Sequence, residues 1–133
     1  MAGGALTFLI GGARSGKSIL AVQLGEHHGG AVHFIATAEP FDDDLRERVE
    51  RHRAERPPSW TTAEVPVELP AAIADAPADA FVIVDCLTVW QANLFVHVND
   101  PQRRTQYGHD MVAALRDRAA SLRKNWSAPS NRC

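Results

Sequence analysis

Residues 11–18, GGARSGKS, constrain the fold of this chain more than any other stretch of its sequence. They follow an apolar run, LTFLI at 6–10, and lead directly into a helical pattern that begins at Lys17. A Gly-x-x-x-x-Gly-Lys-Ser loop between a buried strand and a helix is the context that the P-loop motif requires. Its glycines let backbone N–H groups point at phosphate oxygens, and the helix N-terminus adds its positive dipole end. The alternative is a glycine turn followed by an incidental Lys-Ser pair.

The rest of the chain alternates short apolar runs with helical patterns. Three buried strands are predicted, at 6–10, 32–36 and 81–85. Helices are predicted in four segments, at 17–28, 42–56, 87–97 and 101–124. Strands that alternate with helices pair in parallel, so the pattern predicts an α/β fold.

The composition favours one soluble, cytoplasmic domain. The chain has 133 residues, of which 45% are apolar and 23% charged, and its net charge of −2 gives no basic excess for nucleic acid or a membrane surface. The opening MAGGALTFLIGG has no cationic flank and only a short apolar run, which predicts neither a signal peptide nor a membrane span. Residues 1–126 are interpreted as a nucleotide-binding domain and residues 127–133 as an irregular tail.

Asp85 is the candidate acidic partner of the loop. In P-loop proteins the lysine, here Lys17, reaches the outer phosphates, and the hydroxyl, here Ser18, ligates Mg²⁺ together with an acidic residue at a strand end. FVIVDC supplies Asp85 at such a place. The alternative is a turn aspartate that follows a strand. The residues therefore predict a nucleoside triphosphate with magnesium, and they leave the acceptor open.

His52 is the candidate nucleophile. On the helix predicted over 42–56 it shares one face with Leu45, Val49 and Arg56. A neutral imidazole nitrogen can attack an α-phosphate and carry the nucleotidyl group covalently. Its ordinary pKa of about 6.5 leaves it largely neutral near pH 7. A histidine on an inward face is also compatible with a core or cap role.

Three segments together resemble the bifunctional cobinamide kinase and cobinamide-phosphate guanylyltransferase family of cobalamin biosynthesis. They are GGARSGKS, FIATAEPFDDDLRERVERHRAERPPSWTTAE and VIVDCLTVWQANLF, in the family's order between about Thr7 and Phe95. The resemblance implies two reactions. ATP or GTP phosphorylates adenosylcobinamide; GTP then guanylylates a histidine, and GMP passes to adenosylcobinamide phosphate to give adenosylcobinamide-GDP.

The resemblance also implies roles for individual residues. The guanylylated histidine falls on His52, and Lys17 is the second catalytic residue. The phosphate loop falls on Gly11, Gly12, Ala13, Arg14, Ser15, Gly16, Lys17 and Ser18. Further nucleotide contacts fall on Ala36, Thr37, Ala38, Arg53, Ala54, Glu55, Arg56, Glu64 and Asp85. Magnesium, bound with the nucleotide, falls on Ser18 and Asp85.

The implied fold is a RecA-like P-loop sheet, in which the strand after the acidic one inserts between it and the P-loop strand. Relatives continue past the long helix into such a strand, whereas NWSAPSNRC at 125–133 has no strand pattern. We therefore expect C-terminal strands to be missing, as in a truncated copy, and a homo-oligomer is possible. Two alternatives stay open: a monofunctional small-molecule kinase in which His52 is structural, and a non-catalytic nucleotide-binding remnant.

Overall fold

The computed structural model describes residues 6–11, 16–40 and 42–125, with the backbone alone at residue 52 and residues 120–125. Its elements alternate helix and strand along the chain. They are α1 (Lys17–His28), β1 (Val32–Ala36), α2 (Asp43–Ala54), β2 (Thr61–Glu64), α3 (Leu69–Asp75), β3 (Phe81–Asp85), α4 (Leu87–His97) and α5 (Pro101–Asn125). The α/β fold predicted from this alternation is confirmed.

The three described strands form one parallel sheet in the order β2–β1–β3. The register places Ile35 of β1 opposite Ala63 of β2 and Val84 of β3. Because all three strands run in one direction, their carboxyl ends meet at one edge of the sheet. This edge carries Ala36, Glu64 and Asp85 in neighbouring positions.

The helix boundaries follow from local capping chemistry. α1 lies between Gly16 and Gly29, whose φ angles of 86° and 77° belong to the left-handed region that favours glycine. α2 begins after Asp42, whose carboxylate accepts a 2.7 Å hydrogen bond from the Leu45 N–H. Two further aspartates occupy its first turn, where negative charge stabilises the positive end of the helix dipole.

The structure differs from the predicted element pattern at three places. LTFLI at 6–10 forms no strand: it lies beside β3 without pairing to it, and Ile10 is 95% exposed. A strand exists only where its backbone has a partner, and an apolar sequence does not provide one. The third strand is instead β2, with the sequence TTAE, which is too short and too polar to give a strand pattern. The short helix α3 was not predicted either.

Apolar clusters cover both faces of the sheet. On one face α3, α4 and α5 pack on Ile35, with Leu69, Ile73 and Trp90 at the centre. On the other face α1 and Trp60 cover a second cluster, formed by Val32, Phe34, Ala36 and Ile83. Parallel sheets are covered in this way because both of their faces are apolar. In the described ranges, no helix combines the length and hydropathy needed to cross a membrane.

Candidate functional site

The candidate site begins where α1 meets the carboxyl end of β3. The Ser18 hydroxyl donates a hydrogen bond of 3.3 Å to the carboxylate of Asp85, although 67 positions separate them in the sequence. Gly16 has the left-handed conformation that lets the chain turn into α1, and Lys17 is the first residue of the helix. The structure therefore brings together the hydroxyl, the carboxylate and the helix N-terminus that the sequence assigned to one phosphate and magnesium site.

The phosphate loop is described only in part. Gly11 and Gly16 lie within the described residues, Gly11 as exposed coil. The predicted contacts Gly12, Ala13, Arg14 and Ser15 lie outside them. Lys17 and Ser18 are half-buried at the start of α1. They are the residues of this loop on which the described geometry of the site depends.

A cavity of about 230 Å³, here called the α2 cavity, joins the phosphate site to α2. Ser18 and Asp85 line one side of it, and Leu45 and Val49 of α2 line the other. Residue 52 follows Val49 by three positions on α2, which places it on the same side of the helix. The face of α2 singled out from the sequence is thus the face that borders the phosphate site.

Two arginines add positive charge to the α2 cavity. Arg48 and Arg56 both line it, Arg48 as an exposed residue at its rim and Arg56 as a half-buried one. Arg56 lies just beyond the last residue of α2, not within the helix as predicted, and its guanidinium stacks on the Phe34 ring at 3.7 Å. Burial lowers the pKa of Arg56, while the nearby charge of Asp85 acts in the opposite direction. A guanidinium still carries its charge near neutral pH, so the cavity presents fixed cations to an anionic ligand.

A buried polar cluster fixes the loops that carry the site. The Thr37 hydroxyl donates to the backbone carbonyl of Cys86 at 2.8 Å and accepts from the Cys86 N–H at 2.9 Å. The side-chain amide of Asn93 donates to the carbonyls of Thr37 and Pro66 at 2.8 and 3.1 Å. Both side chains are almost fully buried, with 0% and 4% exposure. The residue before Cys86 is Asp85, so this cluster holds the carboxylate in place.

Sequence reasoning missed Asn93. An amide inside the apolar run LTVWQANLF was the available signal, because a buried amide must satisfy its hydrogen bonds with specific partners. Thr37 was assigned as a nucleotide contact, and its hydroxyl is occupied by Cys86.

The other predicted nucleotide contacts lie around the end of α2 and the carboxyl edge of the sheet. Ala36 and Ala38 line the α2 cavity. Arg53 forms an exposed ion pair of 3.4 Å with Glu64, which connects α2 to the end of β2. Ala54 and Glu55 are exposed at the helix end. These assignments remain predictions.

The side-chain oxygens of Ser18 and Asp85 are of the chemical type that magnesium prefers. Mg²⁺ prefers oxygen donors, keeps several waters, and is usually held by one or two protein groups together with substrate phosphates. Within the part of the chain that the structure describes, no group of three or more His, Cys, Asp or Glu side chains is arranged to hold a metal. A hydroxyl and one carboxylate at a helix N-terminus therefore fit a nucleotide-bound magnesium rather than a site made of protein ligands alone.

Comparison with known proteins decides the family. Residues 7–124 match the family model described as cobinamide kinase / cobinamide phosphate guanyltransferase. The chain belongs to this family. The resemblance of the three sequence segments to this family is thereby confirmed, and the family is one of transferases.

Curated relatives of this cobinamide kinase / guanyltransferase family give the same result. The bifunctional adenosylcobalamin biosynthesis protein CobP of Pseudomonas aeruginosa is 47% identical over 96 residues, which are 71% of this chain and 55% of the relative. The corresponding CobU proteins of Salmonella typhimurium and Escherichia coli are 36% and 38% identical and cover 74% and 67% of this chain. These matches cover 56% and 49% of the two relatives. The chain thus spans about half the length of the curated relatives it matches.

Proposed function

We propose that this chain carries the nucleotide chemistry of adenosylcobinamide kinase and adenosylcobinamide-phosphate guanylyltransferase. The observation that supports this most is the α2 cavity, since one cavity is lined by Ser18 and Asp85 and also by the helix of His52. A nucleotide whose phosphates lie at the start of α1 would have its α-phosphate within reach of α2. The substrates are ATP or GTP and adenosylcobinamide, and the product is adenosylcobinamide-GDP.

In the kinase half, the chain positions the transferred phosphate. The N-terminus of α1 directs N–H groups and its dipole toward the β- and γ-phosphates, and the Lys17 ammonium neutralises their outer oxygens. Ser18 and Asp85 would hold Mg²⁺, which supplies charge neutralisation on the phosphates. The hydroxyl of the aminopropanol arm attacks the γ-phosphorus; a P–O bond forms, the bond to the β-phosphate oxygen breaks, and the hydroxyl proton leaves to solvent.

In the guanylyltransferase half, His52 carries GMP. An imidazole nitrogen attacks the α-phosphorus of GTP, a P–N bond forms and pyrophosphate leaves. The phosphate of adenosylcobinamide phosphate then attacks the same phosphorus, breaks the P–N bond and frees the histidine. Arg48 and Arg56 contribute by placing two cations along the cavity in which negative charge accumulates during both steps.

We assign the guanine nucleotide to the edge formed by the end of β1, the end of α2 and the end of β2. Ala36 and Ala38 line the cavity with small side chains, and the Arg53–Glu64 pair adds a donor and an acceptor beside it. Thr37 and Asn93 serve as positioning residues in this scheme, because their hydrogen bonds fix the loops after β1 and β3.

The deciding experiment measures the intact mass of the purified chain after incubation with GTP and Mg²⁺. We expect a GMP-sized, acid-labile increase that is absent from His52→Ala. His109→Ala is the matched control, since it removes an exposed imidazole on α5 and should leave the adduct unchanged. Ser18→Ala should reduce the adduct, because it removes a magnesium ligand.

Circular dichroism and the binding of a fluorescent GTP analogue accompany the mass measurement. They establish that each variant is folded and still binds nucleotide. A folded wild-type chain that binds GTP and forms no adduct would contradict the guanylyltransferase proposal. An adduct that persists in His52→Ala would contradict the assignment of the nucleophile.

A further inference from the structure

Three polar side chains of α4 contact the loops that follow β1 and β2. The Trp90 indole N–H donates to the carbonyl of Val67 at 2.7 Å, and the Asn93 amide bonds to both loops. A ring nitrogen of His97, Nε2, lies 2.7 Å from a carboxylate oxygen of Glu39 in the loop after β1. The three positions on α4 are three and four residues apart, so they share one face of the helix. This face of α4 therefore fastens the loops at the carboxyl edge of the sheet.

The contact between His97 and Glu39 differs from the other two. A carboxylate can only accept, so Nε2 carries the proton and donates it. His97 lies in the last turn of α4, where the helix dipole favours a positive charge. Its side chain is 40% exposed and that of Glu39 is 27% exposed, whereas Trp90 and Asn93 are buried. The contact can therefore be removed without opening the core.

Glu39 lies between the α2 cavity and the start of α2. The preceding residue, Ala38, lines the cavity, and the N-cap of α2, Asp42, follows Glu39 by three positions. Pro40 has a fixed φ angle and restricts the backbone of Glu39 to extended conformations. Because this connection is short and stiff, the position of Glu39 determines where α2 begins.

The packing of α2 against the rest of the chain is slight. None of its described side chains is buried, and only Leu45 and Val49 are half-buried. Both line the α2 cavity and not a closed core. At the other end of the helix, the ion pair between Arg53 and Glu64 is exposed. The position of α2 over the phosphate site therefore depends on contacts at its two ends.

We propose that His97 is a positioning residue for nucleotidyl transfer. Through Glu39 it fixes the connection between β1 and α2, and so holds residue 52 at the distance from the phosphate site that the attack requires. This inference rests on the proposed function, in which His52 is the nucleophile. His97 lies at the opposite end of α4 from Asp85 and acts on the reaction through Glu39 alone. A displacement of about 1 Å can slow a transfer by about 100-fold, so a contact outside the cavity is sufficient to affect the rate.

The test measures the rate of GMP adduct formation in a single turnover at saturating GTP and Mg²⁺. His97→Phe keeps a ring and removes the N–H donor; we expect the rate to fall on the order of tenfold, with the affinity for a fluorescent GTP analogue changed by less than about twofold. His97→Gln retains an N–H donor and should recover most of the rate. Tyr107→Phe is the matched control, because it removes another exposed long-range contact, the 2.6 Å hydrogen bond to Glu68, and should leave the rate unchanged.

A double-variant cycle tests whether the effect passes through the pair. We expect Glu39→Ala to slow the adduct as His97→Phe does, and the variant that combines both changes to be no slower than the slower single variant. An unchanged rate in His97→Phe overturns the proposal. Additive losses in the combined variant also overturn it, since the two residues would then act separately.

Amide hydrogen exchange without nucleotide tests the positioning independently of the chemistry. We expect the amides of Leu45 and Arg46, in the first turn of α2, to exchange about threefold faster or more in His97→Phe than in the wild type, and at the wild-type rate in Tyr107→Phe. A wild-type chain that forms no adduct contradicts the proposed function, and the exchange measurement then decides this proposal alone. Unchanged exchange at the start of α2 in His97→Phe overturns it, whatever the rate of adduct formation.

Discussion

The two edges of β3 have the same backbone and different surroundings. Toward β1, the backbone groups of its odd-numbered residues are hydrogen-bonded. The helices α3, α4 and α5 cover the sheet there, and Ile35 and Leu69 are completely buried. Toward residues 6–11, Val82 and Val84 face a cavity of about 450 Å³, and Ile10 is 95% exposed. VHFIA and LTFLI are similarly apolar, yet only the first forms a strand. The comparison shows that a strand in this sheet depends on a partner and on cover from helices, and not on apolar composition alone.

The largest expected effect is on the free energy of unfolding, and it compares a core residue with an exposed residue on the unpaired side of β3. Leu69→Ala removes a fully buried side chain from the cluster around Ile35, and we expect the free energy of unfolding to fall by about 2–5 kcal/mol. Ile10→Ala should change it by less than about 0.5 kcal/mol, because that side chain is already in solvent. Urea denaturation measures both. Comparable losses would mean that residues 6–10 are packed in solution and that the two sides do not differ.

Much of this fold could be predicted from the sequence because local chemistry determines it. Gly16 and Gly29 set the ends of α1, Asp42 caps α2, and the five-residue apolar runs gave β1 and β3 with correct bounds. These elements need only neighbouring residues and burial to form. β2 could not be predicted, because its sequence TTAE is polar and it forms a strand only through its pairing with β1. That pairing is a long-range property.

The candidate site likewise has residues that the sequence predicted and residues whose role depends on long-range contacts. The motif gave Ser18, and the end of an apolar run gave Asp85, and the structure brings the two within 3.3 Å. Asn93 could not be assigned, because its role depends on carbonyls of Thr37 and Pro66 that lie 56 and 27 positions away. The stacking of Arg56 on the Phe34 ring depends on how the end of α2 packs on the sheet, whereas the helical pattern alone placed Arg56 within the helix.

The second effect concerns the buried polar cluster of Thr37, Cys86 and Asn93, which connects the loops after β1 and β3. Thr37→Val keeps the shape of the side chain and removes both hydrogen bonds to the Cys86 backbone, which we expect to cost about 2–3 kcal/mol because a buried donor and acceptor lose their partner. Thr37→Ser retains the hydroxyl and should lose less. Thermal unfolding of the two variants measures the difference. Equal losses would assign the effect to packing and not to the hydrogen bonds.

The third effect tests how closely α1 approaches the sheet. A Cβ at Gly25 would lie 2.7 Å from the Trp60 ring and 3.1 Å from Ile83, so Gly25→Ala forces α1 away from the covered face. Overpacking costs about 1–3 kcal/mol, and the better helix propensity of alanine returns about 0.5–1 kcal/mol. We therefore expect a net loss of about 1 kcal/mol by urea denaturation. Gly108→Ala on α5 meets nothing within 4 Å and should be stabilising; if both variants were stabilising, the close packing of α1 on β3 would be refuted.

The smallest effect is a pH dependence of the free energy of unfolding, which comes from His33 where β1 pairs with β2. His33 of β1 lies 2.7 Å from the Thr61 hydroxyl of β2, and burial lowers its pKa from the ordinary 6.5, with the charge of Arg118 adding to the decrease. The unfolded chain therefore binds a proton at a higher pH than the folded chain does. The free energy of unfolding should fall as the pH decreases through 6.5, and level off below the folded pKa.

His33→Gln removes this titration, and the other histidines contribute equally to both proteins. The difference between the two unfolding free energies, measured from about pH 7.5 to about pH 5, isolates His33. We expect the wild type to lose stability relative to the variant across this range, by less than in the three preceding comparisons because solvent screens a partly exposed group. A difference that is constant with pH would mean that folding does not lower the pKa of His33, and it would contradict the burial of this residue between β1 and β2.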